Sequence, residues 1–251
     1  MRIAAVQHDI VWEDRAANYD RLAPQVARAV GAGAELVLLT ETFSTGFSMT
    51  PGISEPEGGP SARFLAAQAA EHGVWVAGTC PEVDAGGELP FNTFVLAGPD
   101  GGTHRYRKLH PFATERERFR SGTGPVTVEV GGLRVTPFIC YDLRFANVFW
   151  DAAPDTDVYL VPANWPAARR HHWQTLLRAR AIENQAYVVG CNRVGTAGDG
   201  VEHAGDSCVV SPSGEPLATA AGVETIVLAD VDAAEVAATR ERFPFLADRR
   251  R

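Results

Sequence analysis

Short apolar runs alternating with helical stretches constrain this chain more than any single motif does. Residues 3–7, 36–39 and 74–78 are apolar over strand length and too short for helices. Between them, residues 14–32 carry Leu22, Val26 and Val30 near helical spacing, and residues 61–72 are Ala-rich. These two stretches stop at Gly31, Gly33 and Gly73, which are ordinary helix exits. The turns Gly98-Pro99-Asp100-Gly101-Gly102 and Gly131-Gly132 join 91–97 to 103–107 and 126–130 to 133–140 as two hairpins. Beyond them the pattern predicts a helix near 145–150, a strand at 158–161, a helix over 171–184 and a strand at 187–192. Strands at 207–211 and 225–230 follow, with a turn through Ser211-Pro212-Ser213-Gly214-Glu215. No Ser- or Pro-rich linker and no fixed repeat divides the chain. We therefore expect one α/β domain over residues 1–251, with a mixed sheet or a pair of sheets flanked by helices.

A chain of 251 residues can bury a large core. Its 23 Lys and Arg against 31 Asp and Glu give a net charge of -8, which disfavours nucleic acid as a partner despite basic clusters at 105–108 and 169–172. No stretch approaches the ~20 apolar residues of a membrane span, and the apolar start is too brief for a signal peptide. A cytoplasmic protein is expected, without a membrane partner. Cys80, Cys140, Cys191 and Cys208 should then be reduced thiols. None forms a C-x-x-C pair, and His203 has no zinc-ligand spacing to Cys191 or Cys208, so no metal is expected.

Three strand-like runs end at an ionisable residue: one leads to Glu41, one (His104-Arg105-Tyr106-Arg107) to Lys108 and one to Cys140. Free cysteines are usually inert packing, which suits Cys80, Cys191 and Cys208. Cys140 differs because it closes an apolar strand just before polar, helical sequence, where a helix amino terminus would lower its pKa. Taken singly, Glu41 reads as a solvated or ion-paired carboxylate and Lys108 as one more charge on a basic edge. Taken together, they read as a general base and as an ammonium that favours the thiolate and holds a developing oxyanion.

In these contexts the chain resembles the nitrilase superfamily of carbon–nitrogen hydrolases, in its omega-amidase-like branch. The resemblance runs through Ala4-Ala5-Val6-Gln7, Leu38-Leu39-Thr40-Glu41-Thr42-Phe43 and Tyr106-Arg107-Lys108-Leu109-His110-Pro111-Phe112. It continues through Ile139-Cys140-Tyr141-Asp142-Leu143-Arg144-Phe145, Ala163-Asn164-Trp165-Pro166 and residues 178–185. It implies an α-β-β-α sandwich, assembled as a homodimer, with Glu41 as base, Lys108 as oxyanion lysine and Cys140 as nucleophile. It also implies a second glutamate after the lysine, for which Glu115 is preferred over Glu117. The backbone N–H of Tyr141 would share the oxyanion, and no cofactor is required.

Around this set, Phe43, Phe47, Asn164 and Trp165 are candidate pocket walls. Asp142 and Arg144 are expected to pair and fix the turn, and Arg178, Arg180 and Glu183 to form a structural charge network. His171 and His172 are assigned to a solvated face. The tail, from about residue 241, carries Phe243-Pro244-Phe245-Leu246, which could pack on a partner subunit, and Arg249-Arg250-Arg251 is expected to be disordered. The expected activity is hydrolysis of a small carboxylate-bearing amide, the ω-amide of a 2-oxo dicarboxylic acid, through a thioester. A nitrilase or N-carbamoyl hydrolase would use the same three residues. A catalytically silent sandwich protein should lack one of them, and none is lacking.

Overall fold

The computed structural model describes residues 1–250. The chain begins with β1 (Arg2–Gln7), α1 (Arg15–Gly31), β2 (Leu36–Leu38), the two-residue β3 (Glu55–Pro56) and α2 (Pro60–His72). It continues with β4 (Trp75–Val83), β5 (Phe91–Ala97), β6 (Thr103–Arg107) and the one-turn α3 (Glu115–Arg118). Then come β7 (Val128–Val130), β8 (Leu133–Pro137), α4 (Ala146–Ala152), β9 (Val158–Ala163), α5 (Arg170–Asn184) and β10 (Tyr187–Asn192). The last part holds β11 (Val194–Thr196), β12 (Glu202–Ala204), β13 (Cys208–Val210), β14 (Pro216–Thr219), β15 (Thr225–Asp230) and α6 (Ala233–Arg242).

These strands form two mixed sheets. The first has the order β15-β1-β2-β4-β5-β6, with β3 on the side of β4, and the second has the order β14-β13-β10-β9-β8-β7. Each sheet has a parallel centre: β1, β2 and β4 in the first, β8, β9 and β10 in the second. Strand alternation sorts the side chains. Ile3 and Ala5 of β1, with Leu36 and Leu38 of β2, join the core shared with the second sheet. Ala4, Val6 and Val37 face the other way, against Leu22 and Val26 of α1 and Leu65 and Ala69 of α2. On the second sheet α5 covers β10 closely: a Cβ at Gly190 would come within 2.8 Å of the Trp173 ring. The result is an α-β-β-α sandwich in which both sets of parallel strands present their carboxyl ends to one site.

Three local departures from the sequence reading have physical causes. Strand β4 does not stop at Gly78 but runs through Pro81 to Val83. On one side β2 pairs with it as far as Ala77 and β3 from Glu82, so neither ladder uses the N–H that Pro81 lacks. Strand β8 ends at Pro137, short of Cys140, which instead opens a 3-10 turn over Cys140–Arg144. Helix α6 is an additional element, started by the Asp232 side chain accepting from the Ala234 N–H at 2.9 Å. In the tail, Arg249 lies over the Trp150 ring at 4.7 Å, and Arg251 lies outside the described residues. Among the described residues no helix is long and apolar enough to cross a membrane.

Candidate active site

The thiol is set on a strained turn. Cys140 has φ +45°, in the left-handed region that costs a non-glycine residue about 1–3 kcal/mol. Asp142 holds that turn in place: its Oδ2 accepts from the Ile139 N–H at 3.0 Å and from the Tyr106 hydroxyl at 2.7 Å. Its Oδ1 accepts from the His110 N–H at 2.9 Å and lies 2.8 Å from His110 Nδ1. One buried carboxylate thereby ties the Cys140 turn to the segment that follows β6. Arg180 closes the far end, donating to the Leu143 carbonyl at 3.1 and 2.7 Å and pairing with Glu183 at 2.8 Å.

Lys108, one residue past β6, is fastened by its own N–H to the Asn92 carbonyl of β5 at 2.9 Å. Its ammonium is buried and donates to Glu41 Oε1 and Glu115 Oε2, both at 2.8 Å. Glu41, just past β2, is fully buried, and its Oε2 accepts from the Asn164 N–H at 2.8 Å. Asn164 follows β9, so this bond joins the two sheets across the site. Asn92 donates to Glu41 Oε1 at 2.9 Å and to Glu115 Oε1 at 3.0 Å. Glu115 is buried in α3 and also accepts from the Phe112 N–H at 2.7 Å, whereas Glu117 is exposed. Thr42, beside Glu41, and Ala113, before Glu115, also have positive φ, at +44° and +48°. The backbone is thus strained beside both glutamates as well as at the thiol, though not at Lys108.

Cys140 and Glu41 both open onto a cavity of about 650 Å³. Phe47, Tyr141, Trp165 and Arg144 form its near wall, and the β11–β12 hairpin closes it with Ala197, Val201 and His203. Gly198 of that hairpin lies against the Trp12 ring with no room for a Cβ, which seats the hairpin over the cavity. Arg144 stacks over the Trp165 ring at 4.8 Å and Arg169 over the Phe112 ring at 5.6 Å. Neither guanidinium has a carboxylate partner among the described residues. No cluster of three or more His, Cys, Asp or Glu side chains suited to a metal occurs among them either.

The electrostatics correct one expectation. Burial, and next the Glu41 carboxylate, push the Cys140 thiol well above its ordinary pKa, with Lys108 opposing them. The turn behind Cys140 is a five-residue 3-10 turn, and Lys108 is shared between two carboxylates. Burial and the Glu41 carboxylate thus both oppose a preformed thiolate at Cys140. Burial alone would lower the Lys108 ammonium, but Glu115 and Glu41 outweigh it and raise its pKa. Burial raises Glu115, Lys108 opposes this, and Glu41 adds to it.

Glu41, Lys108, Cys140, Glu115 and Asn164 thus converge, with Phe47, Trp165 and Tyr141 on the cavity wall. Phe43 does not line the cavity. It is fully buried on the opposite side of the first sheet, 5.9 Å from the Phe64 ring, and a Cβ at Gly78 would come within 2.7 Å of it. Its neighbour Phe47 reaches the site because the intervening turn reverses the chain. Asp142 does not pair with Arg144; it serves the turn and His110, and Arg144 faces the cavity. Arg178 bonds the Gly214 carbonyl at 3.1 Å rather than joining the Arg180–Glu183 pair. His171 and His172 are exposed, as expected. Asn92 was not foreseen, and a lone asparagine inside an apolar strand is the only signal it leaves.

Comparison with known proteins shows the family. Residues 2–241 match the model of the carbon-nitrogen hydrolase family. The chain is 39% identical over 247 residues to the omega-amidase YafV of Escherichia coli (strain K12), covering 97% of this chain and 94% of that protein. It is 32% identical to the 2-oxoglutaramate amidase of Bacillus subtilis (strain 168), over 87% and 86% of the two chains. Its fold superposes with TM-score 0.94 on a CN-hydrolase superfamily protein from Xanthomonas campestris that carries an arsenic adduct in its active site. That protein is 37% identical, with 100% and 97% of the two chains covered.

Proposed function

Since the chain belongs to the carbon–nitrogen hydrolase family, in the omega-amidase-like branch of the nitrilase superfamily, we propose that it hydrolyses the ω-amide of a 2-oxo dicarboxylic acid to the dicarboxylate and ammonia. The observation that carries this reading is the meeting of Glu41 and Cys140 at the wall of one cavity, with the buried Lys108 bonded to Glu41 behind it and Arg144 on the same wall. Glu41 takes the Cys140 proton as the sulfur attacks the amide carbon. The charge is conserved within the site, because a carboxylate is neutralised as a thiolate forms. Lys108 has three N–H groups and gives two to Glu41 and Glu115, so one remains for the oxyanion. The Tyr141 N–H, in the first turn after Cys140, is the second donor. Glu41 then returns the proton to the departing ammonia, leaving a thioester, and activates the water that hydrolyses it. Glu115 keeps Lys108 in place throughout.

Arg144 and Arg169 supply the positive end of the cavity, and a carboxylate on the substrate would meet one or both of them. Phe47, Asn164 and Trp165 shape the rest, while Phe43 has no part in it. The chain acts as one domain in the cytoplasm, consistent with its four free thiols. It pairs as a homodimer that extends the sandwich; Ile182, Phe243 and Phe245 are exposed apolar side chains suited to that interface, with the tail from about residue 241 taking part. An ammonia-release assay over ω-amides of 2-oxo dicarboxylic acids, nitriles and N-carbamoyl amino acids tests the substrate class. Turnover of the ω-amides is expected; turnover confined to nitriles or carbamoyl compounds would overturn it.

A further inference from the structure

Asn92 lies in the middle of the charged set, and the mechanism above gives it no role. Its two amide N–H groups go one to each glutamate, at 2.9 Å to Glu41 Oε1 and 3.0 Å to Glu115 Oε1. Lys108 bridges the same two carboxylates from the other side, so Glu41, Asn92, Glu115 and Lys108 close a ring. Asn92 is almost fully buried, and its Oδ1 has no hydrogen-bond partner among the described residues. Turning the amide over would aim that oxygen at two carboxylates, so its orientation is fixed by charge. A buried asparagine with an unpaired oxygen is there for its donors.

Counting acceptor sites gives the consequence. Each carboxylate oxygen accepts about two hydrogen bonds. Glu41 Oε1 already takes Lys108 and Asn92, whereas Oε2 takes only the Asn164 N–H. We propose that Asn92 is a positioning residue that, with Lys108, fills Oε1 of Glu41 and leaves Oε2 as the atom that receives the Cys140 proton. The proton passes from Sγ to Oε2, the S–H electron pair stays on sulfur, and the negative charge moves from carboxylate to thiolate. This assignment rests on the reading of Glu41 as the base. The titratable groups facing Glu41 are Lys108 from the end of β6, Glu115 from α3 and Cys140 from its turn. The neighbouring Tyr106, His110 and Asp142 are bonded to one another.

The test compares Asn92→Asp and Asn92→Ala with wild type and Glu41→Gln on an ω-amide substrate. Positioning by donation predicts that the isosteric Asn92→Asp is the worse variant, losing about 100-fold in kcat, because it sets a third carboxylate against two. Asn92→Ala should lose about tenfold, with KM within a few-fold, since Asn92 does not line the cavity. Its acid limb of kcat/KM should move to higher pH, because ionised carboxylates that lose a donor are protonated more readily. A packing role alone predicts the opposite order, with Asn92→Ala the worse and the pH profile unmoved, and that result would overturn the proposal. If thermal melting shows Asn92→Asp unfolded, the Asn92→Ala profile decides: an unmoved acid limb counts against the assignment. An active Glu41→Gln would remove the reading of Glu41 as base; an inactive Glu41→Gln beside an unaffected Asn92→Asp would remove only the role of Asn92.

Discussion

Cys191 lies inside β10 between the two sheets, its thiol 3.4 and 3.3 Å from the Val6 and Leu38 carbonyls, while Cys140 stands on a turn beyond β8 at the wall of a cavity. Both are buried, and burial pushes both thiols up. Burial and pKa direction therefore do not separate the proposed nucleophile from the cysteine packed between the sheets. The difference lies in the neighbours. Cys191 meets only neutral carbonyls that can accept a hydrogen bond but not a proton, whereas Cys140 meets a carboxylate positioned by Lys108, Asn92 and Asn164. In the proposed mechanism, reactivity comes from a base supplied by the other sheet rather than from the local setting of the thiol.

The largest test of that contrast is substitution of each thiol. Cys140→Ala should lower kcat by about 10⁴-fold or more, as loss of a nucleophile does elsewhere. Cys191→Ala should change it by no more than a few-fold, with a stability cost of about 1–2 kcal/mol read by urea unfolding. A smaller effect concerns the acyl group. Arg144→Met should raise KM for a carboxylate-bearing amide about 10- to 100-fold, and much less for a neutral amide of the same length. Smaller still is the pH dependence of alkylation. With the Cys140 thiol pushed above its ordinary value, its iodoacetamide rate without substrate should climb about tenfold per pH unit between pH 7 and 8. A rate already level at pH 7 would mean a preformed thiolate and would erase the contrast with a base-assisted thiol.

Much of this site was legible in the sequence because parallel strands deliver their carboxyl ends to one place. Glu41 and Cys140 follow apolar runs and Lys108 follows a strand-like run, and the order of their motifs matched a known family. The preference for Glu115 over Glu117 also agrees with the structure, where Glu115 is buried on Lys108 and Glu117 faces solvent. What was not legible depends on contacts between distant segments. Phe43 and Phe47 are equivalent in composition and spacing, and only the turn at Gly46, with φ +74°, sends them to opposite sides. Arg144 looked like a partner for Asp142 because they are neighbours in sequence, yet Asp142 is spent on Tyr106, His110 and Ile139. The pKa direction of Cys140 differs from the sequence expectation for the same reason, since it is set by burial between distant segments and next by the Glu41 charge from beyond β2.

The account stands on an acyl group carried by Cys140 rather than by any other buried thiol. Rapid quenching during turnover of an ω-amide, followed by digestion and mass spectrometry, reads this directly. The predicted result is one acyl adduct, on the peptide containing Cys140, absent from Cys140→Ala. An adduct on Cys80, Cys191 or Cys208, or turnover undiminished in Cys140→Ala, would contradict it.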